Sequence, residues 1–189
     1  QRRAEELWNS LERLVKVCEE EQVDLLLIAG DLFHRQPLLR ELKEVDYLFS
    51  QLTHTKIVFI AGNHDYLKPS SYYLTYQWKS QVYPLLEQTM GFVEFEELGT
   101  SVYGFSYGQK EIREALYTDA FPQKKQPVEI LIAHGGDEKH IPIQRNNIMN
   151  LGYDYVALGH IHRPMEIEKN HIYYSGSLEP TDKNDVGKH

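Results

Sequence analysis

The sequence predicts an α/β fold, and three of its features lead to that prediction. Short apolar runs typical of buried strands alternate with segments whose apolar residues recur at helical spacing. Four of these runs end at a glycine or another small residue and are followed by polar side chains, which is how open α/β sheets build sites at the carboxyl ends of their strands. Shorter strand-like stretches in the second half indicate a second sheet. We therefore expect the strand ends to share one site.

The composition is that of an ordinary globular protein. At 189 residues, the chain is expected to form one domain over residues 1–189. It has 28 acidic and 20 basic residues, a net charge of −8, which argues against coating nucleic acid through bulk charge, although divalent metals at a site would reverse the local field. Its single cysteine, Cys18, is expected to be buried, and its cysteine usage favours a reducing, cytoplasmic setting. No apolar run approaches the roughly 18 residues of a membrane span, so we expect a soluble protein with no membrane partner.

The first third of the chain alternates between helix and strand. Apolar residues at helical spacing predict an amphipathic helix over Glu5–Glu21. The continuous apolar run Asp24–Ala29 predicts a central parallel strand. Pro37 suits the start of a second helix, predicted over Leu38–Leu52, and the β-branched and aromatic run Lys56–Ala61 predicts the next strand.

The stretch Ser70–Gln88 is unusually rich in aromatic residues. We predict a helical segment there, which Pro84 breaks or bends. Aromatic residues at this density are more often core contacts, and the alternative is an exposed homodimer face or partner groove. The residues concerned are Tyr72, Tyr73, Tyr76, Trp78 and Tyr83.

The second half contains shorter elements. Two strands joined by a turn near Gly99 are expected to belong to the second sheet, and a polar loop is expected beyond Gly176. The predicted elements are strands Phe92–Phe95 and Ser101–Ser106, helix Glu111–Tyr117, strand Val128–Ala133, helix Ile143–Leu151, strand Tyr155–Leu158, and a hairpin of Met165–Glu168 with Ile172–Tyr174.

Polar side chains at the strand ends form a candidate metal site. Oxygen and imidazole donors without any thiolate suit Mn²⁺, Fe²⁺ or Zn²⁺ at a catalytic centre and disfavour a closed structural zinc site. Taken singly, a carboxylate after a strand is more often a helix cap or turn residue, and a lone histidine is more often a core residue. Four such strand ends in one chain make coincidence improbable. The donors are Asp31, Asn63, His64, Asp65, His134, His160 and His162.

These donors suggest distinct chemical roles. One carboxylate can bridge two metals roughly 3.5 to 4 Å apart, and Asp31 is the candidate for that bridge. His160 and His162 alternate along an extended segment, so both imidazoles face one side. His64 could donate a proton or a hydrogen bond to a leaving oxygen, with Asp65 fixing its tautomer. The remaining histidines are interpreted as surface or supporting residues: His34, His54, His140, His171 and His189.

The strand-end motifs resemble those of the calcineurin-like metallophosphoesterase superfamily over nearly the whole chain. They are Gly30-Asp31, Gly62-Asn-His-Asp65, His134-Gly135 and Gly159-His-Ile-His162. The resemblance implies a two-sheet β-sandwich flanked by helices (α-β-β-α) and two divalent metals. It also implies roles: Asp31 as the bridging ligand, Asn63, His134 and His160 as ligands of one metal, His162 as a ligand of the second, and His64 as the catalytic histidine with Asp65 beside it.

Three longer segments are similar to SbcD-like nuclease subunits of DNA double-strand-break repair. They are Gly30–His34, Val102–Gly108 and Tyr174–His189. This resemblance implies Mn²⁺, action on DNA ends, a homodimer, for which Ser70–Gln88 is the candidate contact, and a coiled-coil ABC-type ATPase (SbcC-like) partner.

The sequence departs from the family pattern before its first helix. Family members open with a strand ending in an Asp-x-His pair that ligates the second metal, and they continue beyond the tail motif into a DNA-capping region. We therefore expect a catalytic core trimmed at both ends, inactive by itself if the upstream motif is needed. Two alternatives stay open: a phosphoesterase for small nucleotides or phosphoproteins, and a non-catalytic scaffold.

Overall fold

A computed structural model describes residues 2–169 and 171–176 of the chain. It contains three α-helices and nine strands within those residues, together with two short 3-10 helices. The elements are α1 (Arg2–Glu20), β1 (Leu25–Ala29), α2 (Leu39–Phe49), β2 (Lys56–Ile60), β3 (Val82–Pro84), β4 (Gly91–Phe95), β5 (Thr100–Gly104), β6 (Val128–His134), α3 (Arg145–Met149), β7 (Tyr155–Gly159), β8 (Met165–Glu168) and β9 (Ile172–Tyr174).

The strands form two sheets. The smaller sheet is parallel and has the order β1-β2-β3, and the larger has the order β4-β5-β6-β7-β9-β8. Strands β5, β6, β7 and β9 are parallel neighbours, whereas β4 and β8 pair antiparallel at the two edges. The predicted hairpin of β8 and β9 is therefore confirmed, and the tail motif beyond Gly176 lies outside the described residues.

The two sheets pack face to face and carry helices on the outside of the smaller one. Between them lies an apolar layer that includes Val58, Ile60, Val102 and Ile132. Helices α1 and α2 cover the outer face of the smaller sheet, and Cys18 is buried there as predicted. A second cluster, rich in tyrosine and including residues around α3, covers the outer face of the larger sheet. This is the mixed α/β sandwich predicted for the chain.

Strand β1 lies at an edge rather than in the middle of its sheet. It pairs in parallel with β2 as predicted, but within the described residues it has no neighbour on its other side. All five of its apolar residues are consequently only half-buried. A groove runs along this free edge and reaches His162. Leu7, Leu11 and Leu14 of α1 line it together with residues of β1.

The helical segment predicted within Ser70–Gln88 is wrong. The structure has a single 3-10 turn at Tyr72–Leu74 and then strand β3. Pro84 ends β3, which pairs with β2 at the sheet edge, where a missing backbone N–H is tolerated. The core interpretation holds for Tyr73 and Trp78, which pack against Phe59.

The helix predicted over Glu111–Tyr117 is also wrong. Ile112 forms an isolated bridge with His140, with its N–H donating to the Lys139 carbonyl at 2.9 Å and its carbonyl accepting from Ile141 N–H at 2.6 Å. A seven-residue helix is marginal without tertiary support, so this pairing decides the conformation.

No helix within the described residues has the length and apolar character needed to cross a membrane.

Asp46 ties α2 to the aromatic stretch, and its loss should destabilise the fold. The buried carboxylate accepts hydrogen bonds from Tyr76 Oη (2.6 Å), Lys79 N (2.9 Å), and Ser80 N (3.0 Å) and Oγ (2.5 Å). Hydrogen bonds to a charged group are worth about 1.5–3 kcal/mol. We expect Asp46→Asn to lower the free energy of unfolding by about 2 kcal/mol at pH 7 in urea titrations, whereas the exposed control Asp119→Asn should change it by less than about 0.5 kcal/mol.

The same substitution should have a pH-dependent effect. Burial alone would raise the pKa of Asp46, but the hydrogen bonds from Ser80, Tyr76 and Lys79 outweigh it and lower the pKa. A depressed carboxyl pKa contributes stability above the unfolded value of about 3.9 and loses it as the pH falls through the folded value. The difference between wild type and Asp46→Asn should therefore shrink below about pH 4. A difference that is constant down to the acid transition would contradict this role.

Candidate metal centre

His134 lies at the centre of the site, at the carboxyl end of β6. The side chain is fully buried, and its Nδ1 lies 2.7 Å from the carbonyl oxygen of Ala29 at the end of β1. A carbonyl only accepts hydrogen bonds, so Nδ1 carries the proton and Nε2 faces the interior of the site. A backbone carbonyl that fixes the second nitrogen in this way is typical of metal-ligating histidines.

Four predicted metal ligands converge on one point. The Oδ1 atom of Asn63 lies 2.8 Å from His134 Nε2 and 3.2 Å from His160 Nδ1, and Asp31 Oδ2 lies 3.4 Å from the same Nε2. One ligand atom each from Asp31, His134 and His160 lie within 4.8 Å of one another. The strand ends therefore meet as the sequence predicted.

Backbone geometry at Asp31 brings the carboxylate into this cluster. The backbone φ angle is positive at both Asp31 (55°) and His160 (93°). Such conformations are costly for non-glycine residues and concentrate at functional sites. Gly62 allows the close approach, because a Cβ there would lie 2.3 Å from Asp31 Oδ1 and 2.7 Å from His134 Cε1. The His64 backbone N–H donates to the same Oδ1 at 3.0 Å.

The electrostatics of the cluster favour a cation. Burial alone would raise the pKa of Asp31, but His134 and the His64 backbone N–H lower it. Burial alone would lower the pKa of His134, but the carboxylate of Asp31 outweighs it and raises the pKa. Both directions have one cause, the hydrogen bond and electrostatic attraction between the Asp31 carboxylate and the His134 imidazole, so a positive charge beside Asp31 is stabilised. The residues present thus fit a divalent cation with oxygen and nitrogen ligands.

Asp65 occupies a different position from the one predicted. Its buried carboxylate accepts hydrogen bonds from Gly62 N (2.7 Å), Asp31 N (3.1 Å), Phe33 N (3.4 Å) and Tyr73 Oη (2.6 Å). None of the hydrogen bonds recorded among the described residues joins it to the His64 imidazole. Burial and the nearby Asp31 raise the pKa of Asp65 to about 6 against the opposing hydrogen bonds. Asp65 therefore holds together the two loops that carry Asp31 and Asn63.

His64 and His162 lie beside the cluster. Both line a cavity of about 550 Å³ that opens from Asn63 and His160 to the surface. The His64 ring also lies 6.1 Å from the ring of His34, which was interpreted as a surface or supporting residue. His64 is thus placed where a substrate could reach it, and His162 lies between this cavity and the groove along β1.

Three buried tyrosines that the sequence analysis did not single out hold the backbone of His134 and Gly135. Tyr107 Oη donates to the His134 carbonyl (2.7 Å), Tyr117 Oη accepts from the His134 N–H (3.0 Å), and Tyr174 Oη donates to the Gly135 carbonyl (2.9 Å). Buried tyrosine hydroxyls need a partner, but their sequence positions do not say which one.

Asp137 is a further residue that the analysis missed. Its carboxylate accepts hydrogen bonds from His160 Nε2 and from His140 Nδ1 (2.8 Å). Partial burial would raise its pKa, but these two histidines lower it to about 2. The contact orients His160 so that Nδ1 faces Asn63, as carboxylates behind metal-ligating histidines do. A search for an acidic residue close after the His134-Gly135 motif could have found it.

This fold and this cluster define a class. A sandwich of two sheets that gathers Asp, Asn and His ligands at its strand ends is suited to metal-dependent hydrolysis, and the chain belongs to the calcineurin-like phosphoesterase family, whose model matches residues 4–164. The resemblance inferred from the motifs is thereby confirmed at the level of the family.

A curated relative carries the comparison one step further. The uncharacterized metallophosphoesterase YhaO of Bacillus subtilis (strain 168) is 27% identical over 192 residues, which cover 93% of this chain and 46% of the relative. The chain therefore spans about half the length of this relative. The comparison supports a metallophosphoesterase and leaves the SbcD-like subtype a prediction.

Proposed function

We propose that the protein is a metal-dependent phosphodiesterase that cleaves DNA, similar to SbcD-like nucleases. The observation that carries the phosphodiesterase part is the convergence of His134, His160 and Asp31 on Asn63 Oδ1. Divalent cations at such a site activate water and neutralise charge on the phosphoryl group. Mn²⁺ is the metal proposed, with Fe²⁺ or Zn²⁺ as alternatives that the same ligands suit.

The protein residues have separate tasks in this proposal. Asp31, Asn63, His134 and His160 hold one cation, and His162 contributes to a second, as the family resemblance implies. His64 lines the open cavity and donates a proton or a hydrogen bond to the leaving oxygen. Asp65 and Asp137 act through hydrogen bonds, the first to the Asp31 and Asn63 loops and the second to His160.

We also propose the partners that the SbcD-like resemblance implies: DNA ends, a second copy of the chain, and a coiled-coil ABC-type ATPase. In support of a contact through Ser70–Gln88, Tyr72, Leu74 and Tyr83 of that stretch are exposed. The groove along the free edge of β1 also reaches His162, so a strand that paired there would bring further ligands towards it.

The test is Mn²⁺-dependent hydrolysis of a linear DNA duplex. We would compare this chain, the full-length protein and full-length His64→Ala, with His54→Ala as a control, since His54 is exposed and pairs with Asp24 away from the site. Loss of a general acid costs about 10²–10⁴-fold in rate. We expect His64→Ala to fall in that range while still binding Mn²⁺ in calorimetry, and His54→Ala to match wild type.

The other outcomes separate the alternatives. Hydrolysis of bis(p-nitrophenyl) phosphate without cleavage of the DNA duplex would contradict the nuclease hypothesis and favour a phosphoesterase for small molecules. The acidic net charge would suit that function. Absence of Mn²⁺ binding in the full-length protein would replace the enzyme by a scaffold.

A further inference from the structure

The cavity beside the metal centre has a basic wall. Its inner end is formed by site residues such as Asn63 and His64, and its outer part carries the side chains of Lys110, Lys139 and Arg163. The volume of about 550 Å³ lies within the range of roughly 300–1,000 Å³ that is usual for ligand sites. The cavity thus has room for more than the group that reacts.

These three cations are available to a ligand. Within the described residues, none of the three takes part in an ion pair. One carboxylate, that of Glu111, also lines the cavity and pairs with Arg113 at 3.3 Å, and the carboxylate of Asp137 contacts His140 and His160. The chain as a whole has a net charge of −8. With three cations and one carboxylate, the lining of this cavity is net positive, opposite in sign to the molecule as a whole, and creates a local positive field.

The wall is held in place by backbone hydrogen bonds. The segment after Lys110 and the segment after Lys139 are joined through Ile112, whose N–H and carbonyl pair with Lys139 and Ile141. Arg163 directly follows His162 in the loop after β7. The segments that carry Lys110 and Lys139 are thus fixed to each other, and Arg163 is adjacent to His162 in sequence, which limits the ordering cost when an anion binds.

We propose that Lys110, Lys139 and Arg163 form a subsite for the phosphates that neighbour the hydrolysed one in a nucleic-acid strand. The inference rests on the proposed phosphodiesterase function for the adjoining site. A lone phosphate ester reaches only the metal centre, whereas a strand places further phosphates along the cavity, where lysine and arginine neutralise them. The subsite selects strands over isolated esters.

The test uses a triple variant and a matched control. The variant is Lys110→Gln, Lys139→Gln and Arg163→Gln, and the control is Lys16→Gln, Arg40→Gln and Lys43→Gln, which removes the same charge from the surfaces of α1 and α2. Binding of fluorescein-labelled octathymidylate is measured by fluorescence anisotropy without added metal, as a function of salt. Hydrolysis of octathymidylate and of bis(p-nitrophenyl) phosphate, which has one phosphate, is measured in Mn²⁺ with full-length protein.

We expect the triple variant to bind octathymidylate at least about tenfold more weakly than the control does. The slope of log K against log salt should fall in magnitude by about 2, since each contacted phosphate of a single strand contributes about 0.7. The loss of kcat/KM on octathymidylate should exceed the loss on bis(p-nitrophenyl) phosphate at least about tenfold.

Each contrary result has one meaning. Equal behaviour of the triple variant and the control, or no measurable binding of octathymidylate by wild type, overturns the subsite even if the enzyme is active. If wild type hydrolyses neither substrate while its binding still depends on the three cations, these cations bind a nucleic-acid strand, but the proposed function fails and with it the link to a hydrolysed phosphate.

Discussion

Alanine in place of His134 is expected to abolish the metal centre. His134 presents Nε2 to Asn63 and Asp31, and no other described side chain occupies that position. Loss of a residue that merely supports a ligand weakens metal binding about 10–100-fold, so loss of the ligand itself should exceed about 100-fold. Hydrolysis by the full-length protein should fall about a thousandfold, because the charge on the phosphoryl group is no longer neutralised.

Calorimetric titration with Mn²⁺ is the primary measurement, since it does not depend on activity. His54→Ala is the matched control, because it removes an exposed imidazole. Circular dichroism melting shows whether the alanine variant is folded. His134→Gln, whose side chain fills more of the space, serves as a second variant if the alanine variant does not fold. Unchanged Mn²⁺ affinity in a folded His134 variant would show that the convergence of donors serves the core instead.

Alanine in place of Asp65 is expected to destabilise the protein and to release the loops that carry Asp31 and Asn63 from each other. Four donors from two loops and Tyr73 point at this one carboxylate. Breaking such a buried charged network costs about 3–5 kcal/mol, because the donors are left without a partner. Urea titration of the free energy of unfolding measures the effect directly.

Two tyrosine variants calibrate that measurement. Tyr73→Phe removes one donor, whose hydroxyl lies 2.6 Å from Asp65, and should cost about 1–3 kcal/mol. Tyr47→Phe is the control, since Tyr47 is 73% exposed, and should cost less than about 0.5 kcal/mol. If Asp65→Ala kept full stability but lost hydrolysis, the sequence-based role beside His64 would be restored and the structural role would be wrong.

The contrast between Asp65 and its neighbours shows where sequence reasoning stops. Asn63 and His134 were predicted to share a site because each ends a strand, and parallel strand ends meet at one sheet edge. Asp65 is adjacent to His64 in sequence, but its buried carboxylate accepts hydrogen bonds from the backbone N–H groups of Gly62 and Asp31, whereas His64 lines the open cavity. Adjacency along a loop does not determine the direction of a side chain.

The wrong element predictions have a related cause. Ser70–Gln88 and Glu111–Tyr117 were predicted to be helical from local pattern, whereas β3 and the bridge at Ile112 arise from pairing with residues elsewhere in the chain. Short segments have little intrinsic preference, so a few hydrogen bonds to a distant strand or loop decide them.

The grouping of Asp31, Asn63, His134 and His160 around one metal came from the family resemblance. The sequence by itself determined the α/β class, the strands beside the site and the donors at their ends. These follow from local periodicity and from polar residues at strand ends, and both are local features of the sequence. Only the tertiary structure decided which atom of each candidate ligand faces the centre, that Asp137 contacts His160 and three tyrosines hold the backbone of His134 and Gly135, and that three cations line one cavity. Those features depend on side-chain directions and on contacts between distant loops, and these are fixed only when the two sheets pack together.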